Sequence, residues 1–436
     1  MKNLLKSVAL IAGLSLPVVT SAAPYCAALA NLEDLPTKYQ KRGPFYSDAD
    51  AGWIVSADQL KSGFMVSQEA VRLWQMIAAE FERRGTELVV LAAPPRPLFV
   101  PEESSESLEL KDAFDRGGMA RNFSAYIAAL NAAGILAPDL SVLAGGEAAG
   151  DYYFKRDTHW TPVGAALSAA HLRQSIDGTP AGETLQSVPF SASYQEKGSL
   201  SHVAEQACGA RPLPETAVAP VFAKAGSVDA LLSDTFTGPR VALVGTSFSN
   251  RYQRDAYQVA DALAHALDAD VKNYAIAGGG LAGSMSGFIQ SGALESAQYE
   301  MVVWETPYTA PLTQVDGLRQ ILGEMLAQSA TNFDAVQSAQ VGNDWLSIGH
   351  EFSLADHAGL QIIVPGQSTG TLTVELIDED GEKTRIKLTK SDRADPALRT
   401  DSWGLAFGGL APKRIERIKL RLLGEAAKDA QVRLFN

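Results

Sequence analysis

Asp157-Thr158-His159-Trp160-Thr161-Pro162 sets a carboxylate two residues ahead of an imidazole, directly before what reads as a helix start. On an extended loop, an acid at that spacing can reach the imidazole Nδ1. It then fixes the tautomer and leaves Nε2 free to take a proton. A helix-capping acid beside a packed histidine accounts for the same hexapeptide, so the choice turns on a nucleophile elsewhere. Ser247 is the candidate. "PRVALVGTSFSN" (239–250) reads as a buried strand that stops at Gly245-Thr246-Ser247, with a helix following in "YQRDAYQVADALAHAL". A serine there stands at the carboxyl edge of a sheet, where open α/β folds bind ligands. A helix N-terminus behind it would aim amide hydrogens at the same place. Its hydroxyl can attack a carbonyl, and its own N–H can help hold the oxyanion. A serine that only caps the helix is the competing reading, with Ser249 and Asn250 available for that role.

Other polar residues add less. Gly278-Gly279-Gly280 follows a strand without a phosphate-loop lysine, so it reads as a close-approach loop in which Gly279 could supply an oxyanion amide. Tyr308 ends "WETPY" after the next strand and could reach the same edge. His171 and His265 fall in helices, His202 in a weakly patterned loop, and His350 and His357 near the C-terminus. None has metal-ligand spacing, and neither a metal nor a cofactor is expected.

These side chains need a scaffold. "AVRLWQMIAAEFERRGTELVVLAAP" runs helix, Gly85, then a continuous apolar strand, and residues 119–136 repeat that order. Thr161 as N-cap and Pro162 at the first position start the helix "TPVGAALSAAHLRQSI". Residues 178–235 are poorly patterned. "ADVKNYAIAGGG" and "YEMVVWETPY" are further strands, with a helical stretch near Met285–Leu294 between them, and "VDGLRQILGEMLAQS" is a closing helix. The alternation predicts an α/β fold, a parallel sheet flanked by helices. After about Phe333 short strands parted by Gly, Pro and Asp turns predict an all-β sandwich.

At 436 residues two domains are expected. Residues 1–22 have the basic start, short apolar run and small residues of a signal peptide, with cleavage after Ala22 or Ala23. The expected layout is 1–22 signal, 23–333 the α/β domain and 340–436 the β module, with no transmembrane segment in the mature chain. In an oxidising compartment the two cysteines, Cys26 and Cys208, are expected to pair. The net charge is −13, yet Lys383–Arg421 holds eleven Lys/Arg against four Asp/Glu. Nucleic acid is excluded as the natural partner of such an exported acidic chain, whereas another polyanion suits the basic segment.

"YYFKRDTHWTPVGAALSA", "VALVGTSFSN", "NYAIAGGG" and "MVVWETPY", with "LVVLAAPPRPLFVP" before them, resemble the periplasmic AlgX/AlgJ family of alginate O-acetyltransferases, whose catalytic domain is of the SGNH hydrolase type. The resemblance spans roughly residues 45–325, and the β module is similar to the carbohydrate-binding module appended in part of that family. It implies Ser247 as nucleophile, His159 as base, Asp157 as orienting acid, and an acetyl-serine passed to a polysaccharide hydroxyl. It also implies alginate, a polymannuronate-type acidic polysaccharide, as acceptor, and other proteins of a secretion complex as partners. One departure is that the Gly-Asp-Ser of the wider class is Gly-Thr-Ser here. For an acidic polymer, Lys387, Lys390, Arg393 and Arg399 are expected to meet carboxylates, and Trp403 to stack a sugar ring. Lys155 and Arg156 would carry the positive track to the site. A polysaccharide acetyl-esterase and a non-catalytic polymer-binding scaffold remain alternatives.

Overall fold

The computed structural model describes residues 25–108, 110–223, 238–296, 299–425 and 428–436. The expected signal segment lies outside the described residues. Four parallel strands form the central sheet, in the order Glu87–Ala93, Met301–Pro307, Arg240–Val244, Asp270–Asn273. Val89 to Ala93 and Val302 to Trp304 are all buried, as an unbroken apolar run requires when both faces are covered. The cover comes from helices such as Gln68–Arg83, Pro162–Asp177, Val259–Leu267 and Leu281–Gln290. Thr161 caps its helix as expected, accepting from the Gly164 amide, with Pro162 at the first position. A Cβ at Gly164 would lie 2.2 Å from the Tyr152 carbonyl oxygen, so this glycine lets the Asp157–His159 loop close onto the helix.

Three sequence readings change. After Gly134 the chain makes a single bridge from Leu136 to Val89 in place of the expected short strand. The helix expected right behind Ser247 begins only at Val259. Tyr252, Gln253 and Gln258 have φ of 54°, 60° and 59°, a left-handed backbone that no helix continues through, and Asp255 caps the late start through the Val259 and Ala260 amides. The poorly patterned stretch holds an antiparallel strand pair, Ala192–Glu196 with Glu215–Ala219, and between them a helix, Ser199–Cys208. Its apolar spacing at Leu200, Val203, Ala204 and Ala207 was present in the sequence but short. His202 therefore sits on a helix.

From Phe333 the chain forms two four-stranded antiparallel sheets. One runs Leu346–Ser353, Arg414–Leu422, Gly370–Asp378, Lys383–Lys390, and the other Ser402–Ala406, Gly359–Ile363, Lys428–Phe435, Phe333–Val341. They enclose a separate core that includes Ile348, Val374, Leu388, Trp403 and Leu420. Helix Val315–Ser329 joins the two bodies. Leu318, Ile321, Leu322 and Met325 enter the α/β core, while Gly323 lies on strand Ser402–Ala406. A Cβ on Gly323 would fall 2.4 Å from the Leu405 nitrogen, and one on Gly404 2.5 Å from the Glu324 nitrogen, so both glycines permit backbone-to-backbone contact. Arg319 ties the seam by donating to the carbonyls of Ala406 (3.1 Å) and Gly408 (2.7 Å) and pairing with Glu69.

Candidate active site

The carboxyl ends of the strands converge on a cavity of about 430 Å³ lined by His159, Ser247, Arg251, Gly280, Leu281 and Tyr308, among others. The Ser247 hydroxyl donates to His159 Nε2 at 2.7 Å, across 88 residues of chain. His159 Nδ1 meets Asp157 Oδ1 in a short contact, and the same oxygen accepts the His159 backbone amide at 3.0 Å. The second bond explains the spacing of two: the carboxylate closes a turn over its own loop and meets the ring on the same side.

Several elements hold this loop. Arg96 is fully buried and donates to the carbonyls of Phe154, Lys155 and Ile54, pinning the loop to the sheet end. The His159 ring lies between Phe248 and Tyr257, with centroids 4.7 and 5.4 Å away. Trp160 Nε1 donates to the Phe248 carbonyl at 3.0 Å, tying the histidine loop to the serine turn. The other Asp157 oxygen accepts from the Ser199 amide and from Arg251 Nη2, the latter at 3.4 Å. Ser199 starts the helix that ends at Cys208, and Cys208 is bonded to Cys26, so the expected disulfide anchors the helix that holds the acid. Burial pushes the Asp157 carboxyl up, but His159, Arg251 and the Ser199 amide more than offset it and keep it well below the usual carboxylate range.

The Ser247 turn stands on Glu305, a fully buried carboxylate of strand Met301–Pro307. Glu305 accepts from the Thr246 amide (2.7 Å), the Thr246 hydroxyl (3.0 Å) and the Ser249 hydroxyl (3.0 Å). The Ser247 amide donates to no acceptor among the described residues. Gly279 does not fill the place expected of it: its N–H donates to the Ile276 carbonyl at 3.1 Å, and it lines the neighbouring interdomain cavity. Gly280, with φ 73°, borders the site instead, at the start of helix Leu281–Gln290. That helix, not one following Ser247, presents its N-terminus here. Tyr308 also lines the cavity. Its buried hydroxyl makes no well-formed hydrogen bond, with the Gln59 amide beside it, and burial raises its pKa.

The expected polymer contacts divide. Lys387 borders the interdomain cavity, and the Arg393 side chain lies over Gly278 at the rim of the site, where a glycine Cβ would meet its Cδ at 3.0 Å. Trp403 has no exposed surface and packs in the β-module core, so it offers no ring to a sugar. Lys390 is buried and donates to Gln290 Oε1, the Thr400 carbonyl and the Ser402 carbonyl, and burial lowers its pKa to about 8. Arg399 spends its guanidinium on the carbonyls of Asp392 and Ala394. Arg156 is held by the Leu213 carbonyl and Glu215, and Lys155 by the Ala51 carbonyl, so neither extends a track into the cavity.

Arg251, Ser199 and Glu305 carried no local signal in the sequence, and neither did the outer face of one β-module sheet. Register places Lys387 and Arg421 on either side of Thr373, Arg385 and Lys419 beside Glu375, and Lys383 and Arg417 beside Ile377. Their neighbours Ile386, Leu388, Ile418 and Leu420 point into the core, so strand alternation turns the six cations outward together. Trp345 lies under the guanidiniums of Arg385 (5.5 Å) and Arg421 (4.9 Å).

Residues 49–308 match the family described as ALGX, SGNH hydrolase-like domain, acetyltransferase AlgX. The alginate biosynthesis protein AlgX of Pseudomonas putida is 30% identical over 336 residues, 73% of this chain and 68% of that protein. The AlgX of Pseudomonas syringae pv. tomato is 26% identical over 85% of this chain and 79% of its own length. Among solved structures, Pseudomonas aeruginosa AlgX shares the fold with a TM-score of 0.72 at 23% identity, covering 93% of this chain and 99% of that one.

Proposed function

The chain belongs to the SGNH hydrolase-like AlgX acetyltransferase family, and from that premise we propose that it transfers acetyl groups to hydroxyls of an acidic exopolysaccharide of the alginate class, in the periplasm. The observation that carries the reading is the relay from Ser247 through His159 to Asp157 at the mouth of an open cavity.

In this mechanism His159 Nε2 takes the Ser247 proton as the serine oxygen attacks the acetyl carbonyl carbon. The Ser247 amide and the start of helix Leu281–Gln290 face the developing oxyanion. The donor's oxygen leaves with the proton from His159, and acetyl-Ser247 remains. A sugar hydroxyl then gives its proton to His159 and attacks the ester carbonyl, and the same proton returns to the serine oxygen. Asp157 stays ionised throughout and holds the Nδ1–H, with Ser199 and Arg251 keeping its second oxygen satisfied.

A polymeric acceptor accounts for the attached β module. Arg393 at the rim of the site and Lys387 at the interdomain cavity, continued by Arg417 and Arg421 on the outer sheet face beside the Glu375-paired Arg385 and Lys419, form a cationic surface on an acidic chain. The relatives are named for alginate biosynthesis, which supports a uronate polymer as the acceptor.

Incubation with 4-nitrophenyl acetate followed by peptide mass spectrometry tests the first step, and an acetyl adduct is expected on the Ser247 peptide. With polymannuronate present, acetylated polymer is expected. Free acetate alone would make the protein an esterase, no turnover would leave a polymer-binding scaffold, and turnover surviving Ser247→Ala would contradict the relay. Combined Lys387→Ser, Arg417→Ser and Arg421→Ser, which leaves the Arg385 and Lys419 partners of buried Glu375 in place, should weaken polymer binding and flatten its salt dependence, because exposed charge contacts are screened.

A further inference from the structure

Glu305 is a carboxylate with no exposed surface, and the chemistry above does not use it. No described Lys, Arg or His forms an ion pair with it; its partners are the Thr246 amide, the Thr246 hydroxyl and the Ser249 hydroxyl. These donors sit one residue before and two residues after Ser247, so they grip the turn on both sides of the serine. The turn is pressed onto the carboxylate: a Cβ on Gly245 would lie 2.5 Å from Glu305 Oε2 and 2.9 Å from its Cβ, leaving room only for glycine. The departure from Gly-Asp-Ser to Gly-Thr-Ser follows from the same contact. An aspartate at 246 would set a second carboxylate against Glu305, whereas threonine supplies a donor.

We propose that Glu305 is a positioning residue for the nucleophile: its ionised carboxylate, bound to Thr246 and Ser249, holds the Ser247 hydroxyl in line with His159. The proposal rests on Ser247 being the nucleophile. A carboxylate only accepts hydrogen bonds, and every polar group bonded to it here can donate. On protonation at Oε1 the carboxyl donates to the Thr246 hydroxyl instead of accepting from it, and the loss of charge weakens the bonds that Oε2 accepts from the Thr246 amide and the Ser249 hydroxyl, so the grip on the turn relaxes. Burial raises the Glu305 pKa to about 7, with the Thr246 and Ser249 donors acting in the opposite direction. Leu91 faces it from the neighbouring strand. Its charge reaches Tyr153, whose hydroxyl donates to the Pro94 carbonyl. His159 meets the serine turn at the Ser247 hydroxyl, and Arg251 borders the same cavity. Rearrangement of the turn moves the attacking oxygen, and a displacement near 1 Å costs on the order of 100-fold in rate.

The test is the pH dependence of 4-nitrophenyl acetate turnover by wild type, Ser247→Ala, Glu305→Gln, Glu305→Ala and Thr246→Val. Glu305→Ala is expected to lose on the order of 100-fold in kcat with KM little changed. Glu305→Gln should lose less, and its acid limb should fall with the slope of one proton, where the wild-type limb is steeper. Thr246→Val, which keeps the carboxylate and loses one donor, should lower kcat while keeping the steep limb. If Glu305→Ala does not fold, the other two variants carry the comparison. Ser247-dependent turnover in which Glu305→Gln keeps the wild-type kcat and acid limb overturns the positioning role alone. Turnover that survives Ser247→Ala overturns the nucleophile reading, and this proposal with it.

Discussion

Replacing Glu305 by glutamine should remove a pH-dependent part of the protein's stability while slowing turnover. The carboxyl is fully buried, and its pKa rises from an ordinary 4.5 to about 7. An acid whose pKa is raised on folding contributes its full stability below the unfolded value and loses it as pH rises through the folded one, because the native state then retains a proton the unfolded chain has released. Each pH unit of that interval is worth about 1.4 kcal/mol, so ionising Glu305 costs the native state about 3 kcal/mol between pH 4.5 and pH 7. Glutamine has no such titration. The difference in unfolding free energy, variant minus wild type, should therefore climb by about 3 kcal/mol across that window and stay level on either side. Urea unfolding followed by tryptophan fluorescence at pH 4.5, 6 and 8 gives the difference directly, since the other acids titrate alike in both proteins. A difference that does not change with pH would refute the reasoning.

Three further outcomes follow from the packing. Asp157→Asn should lower kcat/KM on the order of 10⁴-fold in an acetyl-ester assay, because an amide that accepts from His159 Nδ1–H must turn its NH₂ toward the Ser199 amide and Arg251, both donors. Gly404→Ala puts a Cβ 2.5 Å from the Glu324 nitrogen, so it should cost about 2 kcal/mol or more in urea unfolding. Cys26→Ser with Cys208→Ser opens a link between residues 182 apart, which the chain-entropy account values at about 5 kcal/mol. It should also slow turnover, by loosening the helix that holds Asp157.

The family and the three residues of the relay could be read from short motifs. Asp157 and His159 are joined by a turn of their own loop, Thr161 and Pro162 start the next helix by local rules, and Ser247 follows an apolar strand that must end near it. Where prediction failed, the deciding contacts lay far along the chain. The helix expected after Ser247 gave way to left-handed residues at 252, 253 and 258, so the dipole came from helix Leu281–Gln290. Trp403 and Lys390 looked available to a sugar because a basic, aromatic segment was read without its register. In the structure both point inward, and the Arg385, Lys419 and Arg421 side chains take the outer face.

By itself, then, the sequence determined those features that depend on neighbours within a few residues: the long apolar strands and the well-patterned helices, where the Pro162 helix begins, and that an acid and an imidazole share one loop. Only the tertiary structure decided that Ser247 meets His159 across 88 residues, that Glu305 lies beneath it and that Arg251 lies beside Asp157. Local propensity is set by short-range sterics and hydrogen bonding. Which face of a strand is buried, and which distant side chain fills the space against it, is set by the packing of the whole core.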